Sequence, residues 1–154
     1  MDAARKAYLL SLTQYPQMTV NESAIVRAWL TAHADEYDDV DFNVRVGTSL
    51  DLGPGYSDAT RQQAALLSQK RIDIVGYKGA DVTIVEVKLR VALSALGQLL
   101  GYSILWQVEH PETAHVNLVA IGNSALLDAV ELLHAHGVTV ELFPDVTLAT
   151  LPYG

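Results

Sequence analysis

Alternating hydrophobic and polar positions in the middle of the chain predict β-strands, and longer apolar repeats around them predict helices. Residues 40–46 alternate as one strand, and residues 71–102 read as a strand, a tight turn near Gly79, a second strand and a long uncharged helix. Further strands are predicted at 115–122 and 138–143, and further helices over residues 2–14, about 20–33 and about 124–136. The order α-α-β-β-β-α-β-α-β predicts an α/β domain with a mixed central β-sheet flanked by helices.

The long helix, predicted over 92–108, has two distinct faces. Gln98 and Tyr102 stand four residues apart and therefore share one face. Gly97 and Gly101 permit close packing, either onto the sheet or onto another subunit. A separate apolar stripe consists of Leu93, Leu96, Leu100 and Ile104. The next helix is predicted to begin at a cap formed by Ser124.

Three ionisable residues interrupt the two strands that precede this helix. Asp73 lies in the first strand, and Glu86 and Lys88 lie in the second, among Ile and Val. Burying such groups is costly unless they are paired, hydrated or bound to a metal. The side-chain period of two places Glu86 and Lys88 on one face, and pairing through the turn brings Asp73 beside Glu86. Two adjacent carboxylates repel, and a hard divalent cation would relieve that repulsion.

Asp73, the Glu86-Val87-Lys88 triplet and a following helix with Gln98 and Tyr102 together resemble the PD-(D/E)XK nuclease superfamily. The run from Gln98 to Tyr102 is most similar to RecB-like and NucS-like nuclease domains. In element order the resemblance covers residues of about 20 to 143, and it implies a restriction-endonuclease-like core. The proline that gives the motif its name is absent, because Ile72 precedes Asp73.

The resemblance implies a role for each matching residue. Asp73 and Glu86 would bind Mg²⁺ or Mn²⁺, together with the carbonyl of Val87 and an acidic residue of the second helix, for which Glu22 is the match. Lys88 would orient water or offset charge, Gln98 would position the nucleophile or a phosphate, and Tyr102 would support Gln98. Two simpler interpretations stay open. Glu22 can be a helix-dipole carboxylate, and Gln98 and Tyr102 can satisfy neighbouring backbone groups.

Composition favours a globular protein over a disordered or disulfide-rich one. The 154 residues are most economically one domain, 1–154, with 50% hydrophobic and 18% charged residues. The absence of cysteine excludes disulfides and thiolate metal sites and fits a cytoplasmic location. Residues 91–108 carry no charge, but serines, glutamines and glycines interrupt them, so we expect a buried helix and no membrane partner.

Charge is distributed unevenly around the candidate site. The formal net charge of −8 argues against non-specific affinity for nucleic acid. Between Arg61 and Arg90, however, six basic residues face only three acidic ones. This locally basic stretch predicts modest, salt-sensitive substrate binding. The candidate contacts are Arg61 (in a short predicted helix over 60–68), Lys70, Arg71 and Arg90.

These features predict a Mg²⁺- or Mn²⁺-dependent deoxyribonuclease, an endonuclease rather than an exonuclease, with a homodimer expected from the glycine-bearing helix. Two other classes stay open. One is a catalytically silent module of the same fold that binds nucleic acid or protein, which the intact Asp73, Glu86 and Lys88 set disfavours. The other is an unrelated α/β binding protein, in which Asp73 and Glu86 would be solvent-exposed and Lys88 simply ion-paired.

Overall fold

The computed structural model describes residues 1–48 and 51–150, apart from the side chains of residues 66 and 67. The prediction of one domain over 1–154 therefore includes residues 49–50 and 151–154, which lie outside the described part, and it stays a prediction. The helices are α1 (Ala3–Ser11), α2 (Val20–His33), α3 (Asp58–Ser68), α4 (Ser94–Glu109) and α5 (Leu127–Ala135). The strands are β1 (Asp39–Val46), β2 (Lys70–Lys78), β3 (Asp81–Val87), β4 (Arg90–Val91), β5 (His115–Gly122), β6 (Ser124–Ala125) and β7 (Val138–Leu142).

A mixed five-stranded sheet in the order β1-β2-β3-β5-β7 forms the centre of the molecule. The pairs β1–β2 and β2–β3 are antiparallel, whereas the pairs β3–β5 and β5–β7 are parallel. The short strands β4 and β6 pair with each other in parallel. The predicted α/β class and the mixed sheet flanked by helices are confirmed.

The β2–β3 hairpin has the predicted register. Gly79 adopts a left-handed φ of 58° in the connecting turn, where glycine carries no steric penalty. Ile74 pairs with Val85 across the two strands, so Asp73 and Glu86 occupy the next opposed positions.

Helices cover both faces of the sheet, and each face has its own apolar cluster. On one face, Leu99 and Trp106 of α4 and Leu133 of α5 pack with Ile84 of the sheet. On the other face, α1 and α2 pack against the sheet through Leu9, Ile25 and Trp29, among others. The start of α2 is fixed by a capping box, in which Thr19 and Glu22 each accept a hydrogen bond from the other's backbone N–H.

The face of α4 that packs on the sheet is not the apolar stripe found in the sequence. The buried residues are Ala95, Leu99, Tyr102 and Trp106, whereas Ile104 is 65% exposed. Aromatic side chains remove more surface from water than Leu or Ile does, which favours the Tyr102 and Trp106 face. The outer face is therefore left apolar and uncovered by the described residues.

The predicted start of the last helix was wrong. Ser124 does not cap a helix, because its backbone is extended and pairs with Arg90 in the β4–β6 ladder. The helix α5 begins only at Leu127, and its N-cap position, Leu126, offers no side-chain hydrogen bond. The short helix predicted over 60–68 is confirmed as α3, which Ser57 caps and which begins two residues earlier than predicted. It adds an element between β1 and β2 to the predicted order.

Residues 91–108 do not form a continuous span. Their helix begins at Ser94 and has 16 residues. Within residues 1–48 and 51–150, no helix has both the length and the apolar character needed to cross a bilayer.

Candidate active site

Asp73 and Glu86 meet at one end of the β2–β3 hairpin, on the face covered by α4. Glu86 is only 2% exposed, and Asp73 is half-buried. The two carboxyl groups lie close enough for each to affect the pKa of the other. One oxygen of Asp73, Oδ2, also accepts a hydrogen bond from the backbone N–H of Val87 at 2.8 Å. The hairpin register alone thus brings two acids together in a site with little water.

Burial disfavours the ionised forms of both acids, and the charge of Asp73 adds to this effect at Glu86. Burial, followed by the charge of Asp73, raises the pKa of Glu86 to about 7, against the opposing effect of Lys88. Burial also raises the pKa of Asp73, although the N–H of Val87 and the charge of Lys88 act in the opposite direction. A carboxylate pair held in this way is a strong candidate for binding a cation.

Lys88 lies on the same side as Glu86, as the alternation predicts. Its Nζ is 3.0 Å from Glu86 Oε1. The backbone of Lys88 is held by a hydrogen bond from its N–H to the carbonyl of Ile121 at 3.0 Å. The backbone of Lys88, directly after the end of β3, is therefore tied to the neighbouring strand β5.

Gln98 and Tyr102 approach the acids from α4. Burial, then the charges of Glu86 and Asp73, raise the pKa of Tyr102 to about 12, while a hydrogen bond with Gln98 acts against the rise. Gln98 Oε1 and Glu86 Oε2 are buried, and neither has a hydrogen-bond partner among the described residues. Because buried polar atoms are normally hydrogen-bonded, these two oxygens indicate a site built for a group that donates hydrogen bonds or for a cation.

Glu22 and Val87 occupy positions consistent with more than one role. The negative charge of Glu22 contributes to the raised pKa of Asp73, so Glu22 lies near the pair. One of its oxygens, Oε2, is already used by the capping box, where it accepts from Thr19 N–H at 2.7 Å. Val87 contacts Asp73 through its N–H. Glu22 can thus cap its helix and still add negative charge to the site.

The oxygen atoms at this site suit a hard cation, but few carboxylates contribute them. Two repelling carboxylates, one of them with an unpaired buried oxygen, match the oxygen ligands that Mg²⁺ and Mn²⁺ prefer. Across residues 1–48 and 51–150, no three His, Cys, Asp or Glu side chains are grouped closely enough to hold a metal ion together. A cation here would be held by Asp73 and Glu86, with further ligands from backbone or water.

The candidate basic residues do not all reach this site. Lys70 lines a cavity of about 280 Å³ together with Gln98 and Tyr102. Arg90 is exposed in β4, whereas Arg71 is half-buried in β2. The guanidinium of Arg61 is held by Asp51 at 3.0 Å.

Two residues that shape the site were missed in the sequence. Asn43 lies opposite Asp73 in β1 and has a left-handed φ of 54°. Asn tolerates this conformation better than most residues do. An Asn within a predicted strand is therefore the feature of the sequence that could have indicated the left-handed residue. Gly122 ends β5 where a Cβ would lie 2.8 Å from the carbonyl oxygen of Lys88. No local pattern marks Gly122, because the close approach arises from tertiary packing.

The chain has limited similarity to known proteins. No protein-family model and no curated protein sequence matches it. A repair endonuclease from Pyrococcus abyssi superposes with a TM-score of 0.47 and 16% identity, over 84% of this chain and 48% of that one. A protein of unknown function superposes with a TM-score of 0.50 and 10% identity, over 79% of this chain and 57% of that one. The chain thus spans about half the length of each structure, and the second likeness extends to the fold alone.

Proposed function

We propose that this protein is a Mg²⁺- or Mn²⁺-dependent nuclease that hydrolyses phosphodiester bonds, with DNA as substrate and endonucleolytic cleavage as the mode. The observation that carries the proposal is the buried contact between Asp73 and Glu86, with Lys88 Nζ 3.0 Å from Glu86. The resemblance of Asp73, Glu86-Val87-Lys88 and the Gln98 helix to PD-(D/E)XK nucleases supports the same activity.

Asp73 and Glu86 are the residues that would hold the cation, with the carbonyl of Val87 and the charge of Glu22 as contributors. When bound, a divalent cation supplies Lewis-acid polarisation of a phosphate oxygen and a lower pKa for a bound water. The raised pKa values of Glu86 and Asp73 mean that a cation would replace protons at these acids.

The remaining site residues act on the substrate and the nucleophile. Lys88, exposed over 34% of its side chain, can reach a phosphate and offset the negative charge that develops during hydrolysis. Gln98 would accept a hydrogen bond from an attacking water, and the lack of a partner for its Oε1 among the described residues supports this role. Tyr102 holds the Gln98 amide in place. Lys70, which lines the adjoining cavity, can bind the substrate backbone.

Burial distinguishes this proposal from a coincidental motif. An unrelated binding protein would leave Asp73 and Glu86 in solvent, yet Glu86 is 2% exposed. The ion pair between Lys88 and Glu86 fits either interpretation. Keeping a buried acid pair without a function would be costly, which favours the catalytic interpretation.

The direct test is incubation of the protein with labelled linear, circular, branched and single-stranded DNA in Mg²⁺, Mn²⁺ or EDTA. We expect cleavage that depends on the metal, and Lys88→Ala should lower its rate by about 10²-fold or more, because an amine that offsets developing charge is lost. Lys78→Ala is the matched control, since Lys78 is an exposed lysine at the opposite end of β2. If the folded wild type cuts none of these substrates, the proposal is wrong, and the silent nucleic-acid-binding module takes its place.

A second test examines the metal without any substrate. Wild type should gain thermal stability in Mn²⁺ relative to EDTA, by about 2.7 kcal/mol when free metal is about 100 times its dissociation constant. Asp73→Asn should lose most of that gain while melting in EDTA at or above the wild-type temperature, because it removes one of two repelling charges. A wild-type melting curve that Mn²⁺ does not shift would rule out the metal site.

A further inference from the structure

The outer face of α4 is apolar and free of charge. Leu93, at the N-cap of α4, is 52% exposed, Ile104 is 65% exposed and Val108 is 76% exposed. No charged residue lies between positions 91 and 108. A Cβ added at Gly97 or Gly101 would meet nothing within 4 Å among the described residues. Exposed apolar patches of this kind mark interaction surfaces.

The spacing along this face follows the pattern of helix–helix packing. The positions 93, 97, 100, 104 and 108 recur at intervals of four, three, four and four residues, close to the spacing of a coiled-coil seam. The catalytic candidates Gln98 and Tyr102 lie outside this row. Gly97 of this row and the adjacent Gly101 line the same cavity as Gln98, Tyr102 and Lys70, so a partner on this face would form one wall of that cavity.

Large and small residues alternate along the face in an order that lets two copies of the helix fit together. About a two-fold axis midway between Leu100 and Gly101, an antiparallel copy of the helix would place Ile104 opposite Gly97. The same axis would place Leu100 opposite Gly101 of the copy, and the two apolar ends of the row, Leu93 and Val108, opposite each other. Each bulky side chain then meets a glycine or another apolar side chain, as in the packing of knobs into holes.

We propose that this surface, which we call the α4 seam (Leu93, Gly97, Leu100, Gly101, Ile104 and Val108), binds a second copy of the same chain in an antiparallel, two-fold arrangement. A two-fold interface brings each patch against itself. Two chains that each carry a net charge of −8 repel, so a self-association surface must exclude carboxylates, and the α4 seam does.

A second helix on the same side of the sheet also exposes apolar residues. A stable interface needs about 800 Å² from each partner, which exceeds what one face of a 16-residue helix supplies. The helix α5 covers the same side of the sheet and exposes Leu127 and Leu132. We infer that these leucines add apolar area on that side of the sheet to an interface centred on the α4 seam.

Cysteine cross-linking tests the arrangement, because the chain contains no cysteine of its own. In an antiparallel pair, Leu93 faces Val108, whereas the two copies of Leu93 lie about 22 Å apart at 1.5 Å per residue. A disulfide needs Cα atoms closer than about 7 Å. We therefore expect a mixture of Leu93→Cys and Val108→Cys chains to form a mixed disulfide dimer, and each variant alone to stay uncross-linked. Cross-linking of each variant with itself would indicate a parallel pair and overturn the proposal.

Sedimentation velocity tests the association itself. We expect a dimer for wild type at about 10 μM protomer and a monomer for Ile104→Glu, which would place a charge against Gly97 of the other chain. The control is Tyr8→Glu, since Tyr8 is 56% exposed on the opposite side of the sheet, and it should remain dimeric. A far-UV circular dichroism spectrum like that of wild type would show that the Ile104→Glu monomer is folded. A monomeric wild type, or an Ile104→Glu dimer, would refute the α4 seam without bearing on the nuclease proposal.

Discussion

At Glu86, burial and the charge of Asp73 act in the same direction, and the single ammonium of Lys88 opposes them. The raised pKa of the acid reports that its ionised form is less stable in the folded protein than in the unfolded chain. Above that pKa the apo protein therefore carries a destabilising charge at the centre of its site. A charge that lowers the stability of the folded protein is typical of functional sites, where the chemistry requires it.

Replacing this charge should stabilise the apo protein. We expect Glu86→Gln to unfold at higher denaturant than wild type at pH 8 in EDTA, by on the order of 1–3 kcal/mol, because the amide needs no proton or cation to be neutral. Glu131→Gln, an exposed change on α5, should have little effect. If Glu86→Gln is destabilised instead, the acid is held by its ion pair with Lys88, and the repulsion from Asp73 is minor.

At the residue scale, the sequence accounts for why the central side chains lie together. Strand alternation and the turn at Gly79 place Asp73 beside Glu86, and the four-residue spacing aligns Gln98 with Tyr102. Their chemical roles stay predictions. The sequence could not reveal Gly122, because its contact with Lys88 depends on how β5 lies against the end of β3.

At the element scale, α2 combines a structural role with a candidate chemical one. Glu22 closes the capping box that begins the helix, and its charge reaches Asp73. The cap was predictable from Thr19 and Glu22 at their spacing of three. The buried face of α4 was harder to predict, because α4 is apolar on both sides. Only its packing against the sheet shows that the side with Tyr102 and Trp106 is the buried one.

Substituting Glu22 separates its two roles. Glutamine can serve in a capping box as glutamate does, so Glu22→Gln should melt like wild type in EDTA. It should show a smaller stabilisation by Mn²⁺, because a negative charge near Asp73 is lost. Thr19→Ala should do the reverse, losing about 0.5–2 kcal/mol of stability while keeping the Mn²⁺ effect. An undiminished Mn²⁺ effect in Glu22→Gln would restrict Glu22 to capping.

A second link between elements is the histidine at the end of α2. The two ring nitrogens of His33 lie 2.8 Å from Glu36 and from Glu141 of β7. Burial lowers the pKa of His33, but hydrogen bonds with Glu141 and Glu36 outweigh it and leave the pKa raised above 6.5. Both nitrogens can donate only when the ring is protonated.

This link predicts a pH-dependent stability. Because the folded-state pKa is raised, the contribution of His33 is fully present below pH 6.5 and is lost as the pH rises through the raised value. We expect the Tm of wild type to fall over that range by about 2–4 °C for each kcal/mol lost. His33→Gln should flatten the profile. An equal slope in both proteins would assign the effect to other groups.

At the scale of the whole molecule, charge is segregated. The basic residues concentrate between Arg61 and Arg90, and the rest of the chain is strongly acidic. The sequence reveals this segregation, but only the fold shows that Lys70 lines the cavity beside Gln98 and that Arg61 is held by Asp51. The acidic remainder should limit contact with DNA to the surface around the site.

Salt dependence measures how many of these charges contact DNA. We expect Lys70→Gln to weaken DNA binding in EDTA and to reduce the slope of log K against log salt by about 1. Lys78→Gln, at the far end of the same strand, should leave both unchanged. Fluorescence anisotropy with labelled DNA gives the slopes. Equal slopes for the two variants would mean that the cavity lined by Lys70, Gln98 and Tyr102 does not bind the DNA backbone.

The short turn between β2 and β3 has a consequence for the rate of folding. The two strands of this hairpin are joined by that turn, whereas β5 and β7 must add in parallel across long connections. Local pairings close at lower entropic cost, so the hairpin is suited to forming before the parallel strands dock. Asp73 and Glu86 would then repel each other already in the folding transition state. Their charges would slow folding more than they speed unfolding, so this pair of acids would also raise the barrier to folding of each new chain.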